Sequence, residues 1–178
     1  MVFAILKAMK IITYMFLGLL ALLSVREFQG EGFFLIDTVN FIFHEAGHPI
    51  FSIFGEFVQF LGGTLGQLII PLMFFGYFFF HRQFFSSGIM MWWFGQNFIG
   101  VGTYIADARM QVLELIGGQH DWTYLLGRLG VLKYDQIIGG SVQVFGLIIM
   151  LSSIVYLSVV VEQMGIKPVL DRRARKRE

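Results

Sequence analysis

The sequence predicts an all-α fold, a polytopic transmembrane helix bundle of about five spans, and three observations carry that prediction. The composition is 56% hydrophobic and only 14% charged, with a mean hydropathy of +0.71, whereas soluble globules carry about 25% charge. Apolar runs long enough to cross a bilayer recur along the 178 residues. Ionisable residues sit between those runs or along one face of a run, which limits the cost of placing charge in lipid. The length suits a single membrane domain, 1–178.

Spans are expected at 11–25, 33–61, 64–80, 86–106 and 137–161. The first, Ile11–Val25, follows Lys7 and Lys10 and reads as an anchor, with no convincing small-residue cleavage site before Arg26. Phe33–Leu61 is apolar but carries a periodic set of polar residues. Gly62-Gly63 reads as a tight turn into Thr64–Phe80, which Pro71 kinks. Ser86–Ala106 has Trp92 and Trp93 near its start, and Ile137–Val161 closes the set. The polar stretch 107–135 contains Gly117-Gly118-Gln119-His120-Asp121-Trp122, a loop between short helices.

Orientation follows lysine and arginine. With the basic tail 167–178 in the cytoplasm, five spans put the N-terminus outside. Arg26, Arg82, Lys167 and the run Arg172, Arg173, Arg175, Lys176 and Arg177 then lie inside, against Lys7, Lys10, Arg109, Arg128 and Lys133 outside. Lys7 and Lys10 oppose this assignment. A net charge of +1 points to no nucleic-acid partner, and the tail suits anionic headgroups of the lipid bilayer. The absence of cysteine excludes a thiolate metal site, a disulfide framework and thiol catalysis.

The sharpest motif is His44-Glu45-Ala46-Gly47-His48. On a helix, HExxH sets two imidazoles one turn apart on one face, able to share a divalent metal, with the glutamate beside a bound water as general base. On a wheel at about 100° per residue, Asp37, Asn40, His44, Glu45, His48, Ser52, Glu56 and Gln59 fall within an arc of about 160°. A span with such a stripe turns it to a bundle interior or a watery cavity. Asp37 and Asn40 are placed to orient an imidazole from outside the metal shell. Buried histidines in membrane bundles also serve as helix–helix hydrogen bonds or ligate haem and chlorophyll. The pairing of HExxH with the polar stripe favours metal.

HExxH at the centre of an apolar helix resembles the signature of the site-2 protease family of intramembrane zinc metalloproteases. The family's second motif, which runs from Asn to a ligating Asp, resembles Asn97 to Asp107 here, with glycines in place of prolines and Ala108 after the aspartate. The resemblance covers roughly Phe33–Asp107. It implies Zn²⁺ as cofactor, a transmembrane or membrane-proximal peptide bond as substrate, and Asp107 as third ligand.

Catalytic zinc takes three protein ligands and an open position. The candidates beyond His44 and His48 are Asp107, His120, Asp121 and Glu114, with Asp107 favoured and His120 its main rival. Depth counts against Asp107: in five spans it lies about 9 Å beyond the level of His48, at 1.5 Å per residue. A bend at Gly95, Gly100 or Gly102, or a shifted span boundary, has to close that gap. Asn97 fits a donor that polarises the scissile carbonyl, or equally a helix–helix hydrogen bond. The expected activity is therefore a zinc endopeptidase with Glu45 as base, acting on a membrane protein or peptide. The alternative is a non-catalytic metal-, haem- or pigment-binding subunit packed against partner membrane subunits.

Overall fold

The computed structural model describes residues 2–31, 34–113 and 119–175. All the regular structure among them is helical: α1 (Val2–Phe28), α2 (Phe34–Phe51), α3 (Glu56–Phe80), α4 (Phe84–Ala106), α5 (Asp121–Arg128) and α6 (Asp135–Arg175). Three stretches, Lys7–Phe28, Glu56–Phe80 and Leu132–Gln163, are long and apolar enough to cross a membrane. They belong to α1, α3 and α6. Helices α2 and α4, which bury Asn40, His44, Ser87, Gln96 and Asn97 between them, are outside that set.

The second expected span differs from its prediction in a way that matters for the site. Helix α2 stops at Phe51 and a 3-10 turn, Ser52–Phe54, reverses the chain at Gly55, whose φ of 94 favours glycine. Gly62 and Gly63, expected as the turn, lie instead inside α3. There they serve close packing: a Cβ on Gly47 would stand 2.0 Å from the Gly62 carbonyl oxygen, and one on Gly66 2.4 Å from that of Phe43. Helices α2 and α3 thus form an antiparallel hairpin with backbones nearly touching, the geometry small residues allow between apolar helices.

Helices α4 and α6 make the other tight pair. Ser87 faces Tyr156, Gly95 faces Gly146 and Met150, Thr103 receives a hydrogen bond from Gln143, and Gly102 abuts Gly139. These pairings run antiparallel along the whole length of α4. Helix α4 is continuous from Phe84 to Ala106, and its Gly95 and Gly102 admit α6.

Helix α1 runs alongside α4 in the same direction, with Phe16 against Phe85 and Trp92 donating to Ser24. Helix α2 also runs parallel to α4, with Asn40 bonded to Gln96 and His44 against Tyr104. Successive spans should alternate, yet α1 and α2 point the same way. Lys10 reaches Glu162 at 2.6 Å, so the start of α1 and the far part of α6 share one end of the bundle. The core forms where α1, α4 and α6 meet, around Leu17, Leu20, Trp92, Ile99, Met150 and Leu157. A smaller cluster of Val101, Ile105, Ala108 and Leu126 seats α5 against the end of α4.

Candidate metal centre

The helical period places the ligating faces of His44 and His48 together, and α5 brings a carboxylate to them. His44 Nε2 lies 2.9 Å and His48 Nε2 3.4 Å from the same atom, Asp121 Oδ2. Glu45 joins the histidines in a group whose ligand atoms all lie within 4.8 Å of one another. His44 is buried, and Asp121 is 5% exposed.

Hydrogen bonding fixes one proton of one imidazole. His48 Nδ1 stands 2.9 Å from the Gln59 carbonyl oxygen, which is only an acceptor, so Nδ1 carries a proton and Nε2 is the atom turned to Asp121. Nε2 and the carboxylate oxygen, 3.4 Å apart, are joined either by a proton on the nitrogen or by a metal ion between them. Ligand atoms each about 2.0–2.1 Å from a tetrahedral zinc lie about 3.3 Å apart. Two imidazole nitrogens and one carboxylate oxygen at the observed separations fit that donor set.

Gly63 makes room for the pair. A Cβ there would stand 2.6 Å from His44 Nε2 and 2.7 Å from His48 Nε2. The histidines therefore rest on bare backbone of α3.

Asp121 reaches the site because its neighbours anchor the start of α5. His120 is the N-cap: its Nδ1 accepts from the Thr123 amide at 3.4 Å, and its ring stacks on Tyr104 at 4.1 Å between centroids. The Asp121 amide in turn donates to the Tyr104 hydroxyl at 3.2 Å. Leu125 and Leu126 bury the inner face of the helix. Burial lowers the His120 pKa, keeping the ring neutral.

The two residues favoured from sequence as third ligand stand near each other and not at the histidines. Asp107 accepts the Val112 and Leu113 amides at 2.9 and 3.1 Å and faces His120 Nε2 at 3.6 Å. Both stand behind Asp121 and brace it; the carboxylate in contact with both histidines is Asp121's. Glu114 and the glycine pair Gly117-Gly118 lie outside the described residues, as do the side chains of the basic tail. Asn97 is buried, and its amide nitrogen donates to the Trp93 carbonyl at 3.0 Å. Its Oδ1 has no partner among the described residues, and of its two amide N–H groups the Trp93 carbonyl takes one.

A polar network leads away from the histidines along the α2 stripe. Asn40 donates to Gln96 at 2.7 Å, Gln96 to Asp37 at 2.8 Å, and Trp93 to Asn40 at 2.8 Å. These groups line one cavity of about 480 Å³ that reaches from Glu27 and Asp37 past Asn97 to His44, Glu45, His48 and Asp121. Reading the sequence anticipated the stripe through its period. It did not reach Tyr104, Gln96 or Gly63 as site residues, because an aromatic, an amide and a glycine in apolar helices have too many ordinary uses to stand out. Comparison with family models, curated proteins and solved structures yields no match to this chain.

Proposed function

We propose that the chain is an intramembrane zinc metalloprotease in which His44, His48 and Asp121 hold the metal and Glu45 is the general base. The observation that supports it most is the convergence of two imidazole nitrogens on one Asp121 oxygen with Glu45 adjoining. It agrees with the family resemblance that HExxH carries. When bound there, zinc would polarise a peptide carbonyl and lower the pKa of water.

The chain's own residues supply the rest. Glu45 takes one proton from the attacking water and returns it to the departing amide nitrogen, so that a C–O bond forms as the C–N bond breaks. The cavity shields the reacting groups and leaves space for a peptide segment. That segment has to be unwound, because a helical peptide bond is internally hydrogen-bonded and sterically covered. Asn97 Oδ1, buried and unpaired on the cavity wall, suits a backbone N–H of such an unwound segment.

The proposed placement is multi-pass. Because α1 and α2 run the same way, we read them together as one broken traverse, with α3, α4 and α6 as the others. Both ends of the chain then share the cytoplasmic side. Lys7, Lys10, Arg82, Lys167 and the basic tail fall on that side, Arg109, Arg128 and Lys133 fall opposite, and Arg26, ion-paired with Glu31, lies at the break between α1 and α2. This arrangement removes the conflict that Lys7 and Lys10 pose for five alternating spans.

Metal analysis of purified protein tests the reading together with proteolysis of a labelled casein in detergent. About one zinc per chain, lost in the double variant His44→Ala, His48→Ala, is the expected result. Glu45→Gln should keep the zinc and lose cleavage by at least ~10²-fold. Equal zinc in the wild type and the double variant, or visible absorbance from a bound pigment, rejects it in favour of a non-catalytic subunit.

A further inference from the structure

Tyr104 is held at the site more firmly than packing alone requires. Its ring is wedged between two imidazoles, edge-on to His44 at 5.7 Å and stacked on His120 at 4.1 Å. Two flanking rings leave the phenol little freedom to swing. Its oxygen accepts the Asp121 backbone N–H at 3.2 Å. A phenol that accepts one hydrogen bond still has its own O–H to give, and no acceptor for that proton is found among the described residues. Tyr104 lines the same cavity as His44, Glu45, His48 and Asp121.

A preoriented, unspent donor beside a candidate metal centre is the element an acyl-transfer site needs where negative charge develops. Asn97, expected from sequence to fill that role, has one of its two amide N–H groups committed to the Trp93 carbonyl. We infer that Tyr104 is the hydrogen-bond donor to the scissile carbonyl oxygen as it becomes anionic during peptide hydrolysis. The inference rests on the hydrolase reading above. The phenol transfers no proton: Glu45 carries the water proton to the amide nitrogen, and Tyr104 stabilises the oxygen with a hydrogen bond that is stronger in the transition state than in the substrate.

The test uses zinc-loaded full-length protein in detergent and a phosphinic dipeptide, whose tetrahedral anionic centre imitates the charged oxygen. Tyr104→Phe keeps the ring between the two imidazoles and removes only the hydroxyl. The expected outcome is unchanged zinc content, calorimetric affinity for the phosphinic dipeptide lowered at least ~10-fold, and casein turnover lowered by ~10²-fold or more in kcat with KM little changed. Retained phosphinic affinity in a zinc-loaded variant overturns the inference. Zinc loss overturns it too, by making Tyr104 a support for Asp121.

If the phenylalanine variant fails to fold, 3-fluorotyrosine placed at position 104 preserves ring and hydroxyl. Its fluorine resonance should shift when the phosphinic dipeptide binds, and an unmoved resonance rejects the contact. A wild type that holds zinc but ignores the phosphinic dipeptide counts against the hydrolase reading itself, which separates the two failures.

Discussion

Gly63 and His44 meet so closely that a single methyl group on the glycine would stand 2.6 Å from the imidazole Nε2 and Cε1 atoms. The rings cannot simply move aside, since His48 is tied to the Gln59 carbonyl and both histidines face Asp121. Gly63→Ala should therefore lower zinc affinity at least ~10-fold, the usual scale for disturbing the support of a metal ligand, with helix content by circular dichroism unchanged. Gly18→Ala, in open space, is the matched control and should have no effect. Full zinc affinity in Gly63→Ala would show that the imidazoles bind elsewhere.

The third ligand is open to a direct contrast. Asp121→Ala should lose zinc about as severely as His48→Ala. Asp107→Ala and His120→Ala should weaken affinity by a smaller factor, about 10- to 100-fold, because they brace Asp121 without reaching the histidines themselves. Competition against a chelator of known affinity orders the four variants. An Asp107→Ala loss that exceeds the Asp121→Ala loss would reverse the assignment.

Gln96 links Asn40 to Asp37 across the α2–α4 interface and is fully buried. Gln96→Leu removes both bonds and takes the acceptor from the buried Asn40 amide nitrogen, at a cost of about 1–3 kcal/mol. The expected result is a lower midpoint of thermal unfolding in detergent, with zinc stoichiometry retained below that temperature. An unchanged midpoint would mean that water replaces the amide in the cavity.

The absence of cysteine makes topology directly measurable. Met9→Cys and Gln83→Cys should react with an impermeant maleimide from the same side of sealed vesicles. Met110→Cys and Leu129→Cys should react only from the other. All four positions are exposed on the protein, so no neighbouring helix covers them. Labelling of Met9→Cys and Leu129→Cys from one side would exclude the broken first traverse.

What could be read without coordinates was governed by local periodicity and composition. The all-helical class follows from long apolar runs, and the grouping of His44, Glu45 and His48 follows from the 3.6-residue turn, which acts on near neighbours in the chain. Asn40 and Asp37 share that face for the same reason. What only the tertiary structure decided involves residues far apart in sequence. Asp121 comes before Asp107 at the histidines because His120 caps a short helix and Tyr104 pins its first amide, and no period links position 121 to position 44. Gly62-Gly63 reads as a turn, yet lies within α3 because two helices can approach backbone to backbone only where side chains are missing. The shared direction of α1 and α2 was hidden for a related reason. Hydropathy measures whether a segment tolerates lipid, while its direction is set by its partners: Trp92 for Ser24 in α1 and Gln96 for Asn40 in α2.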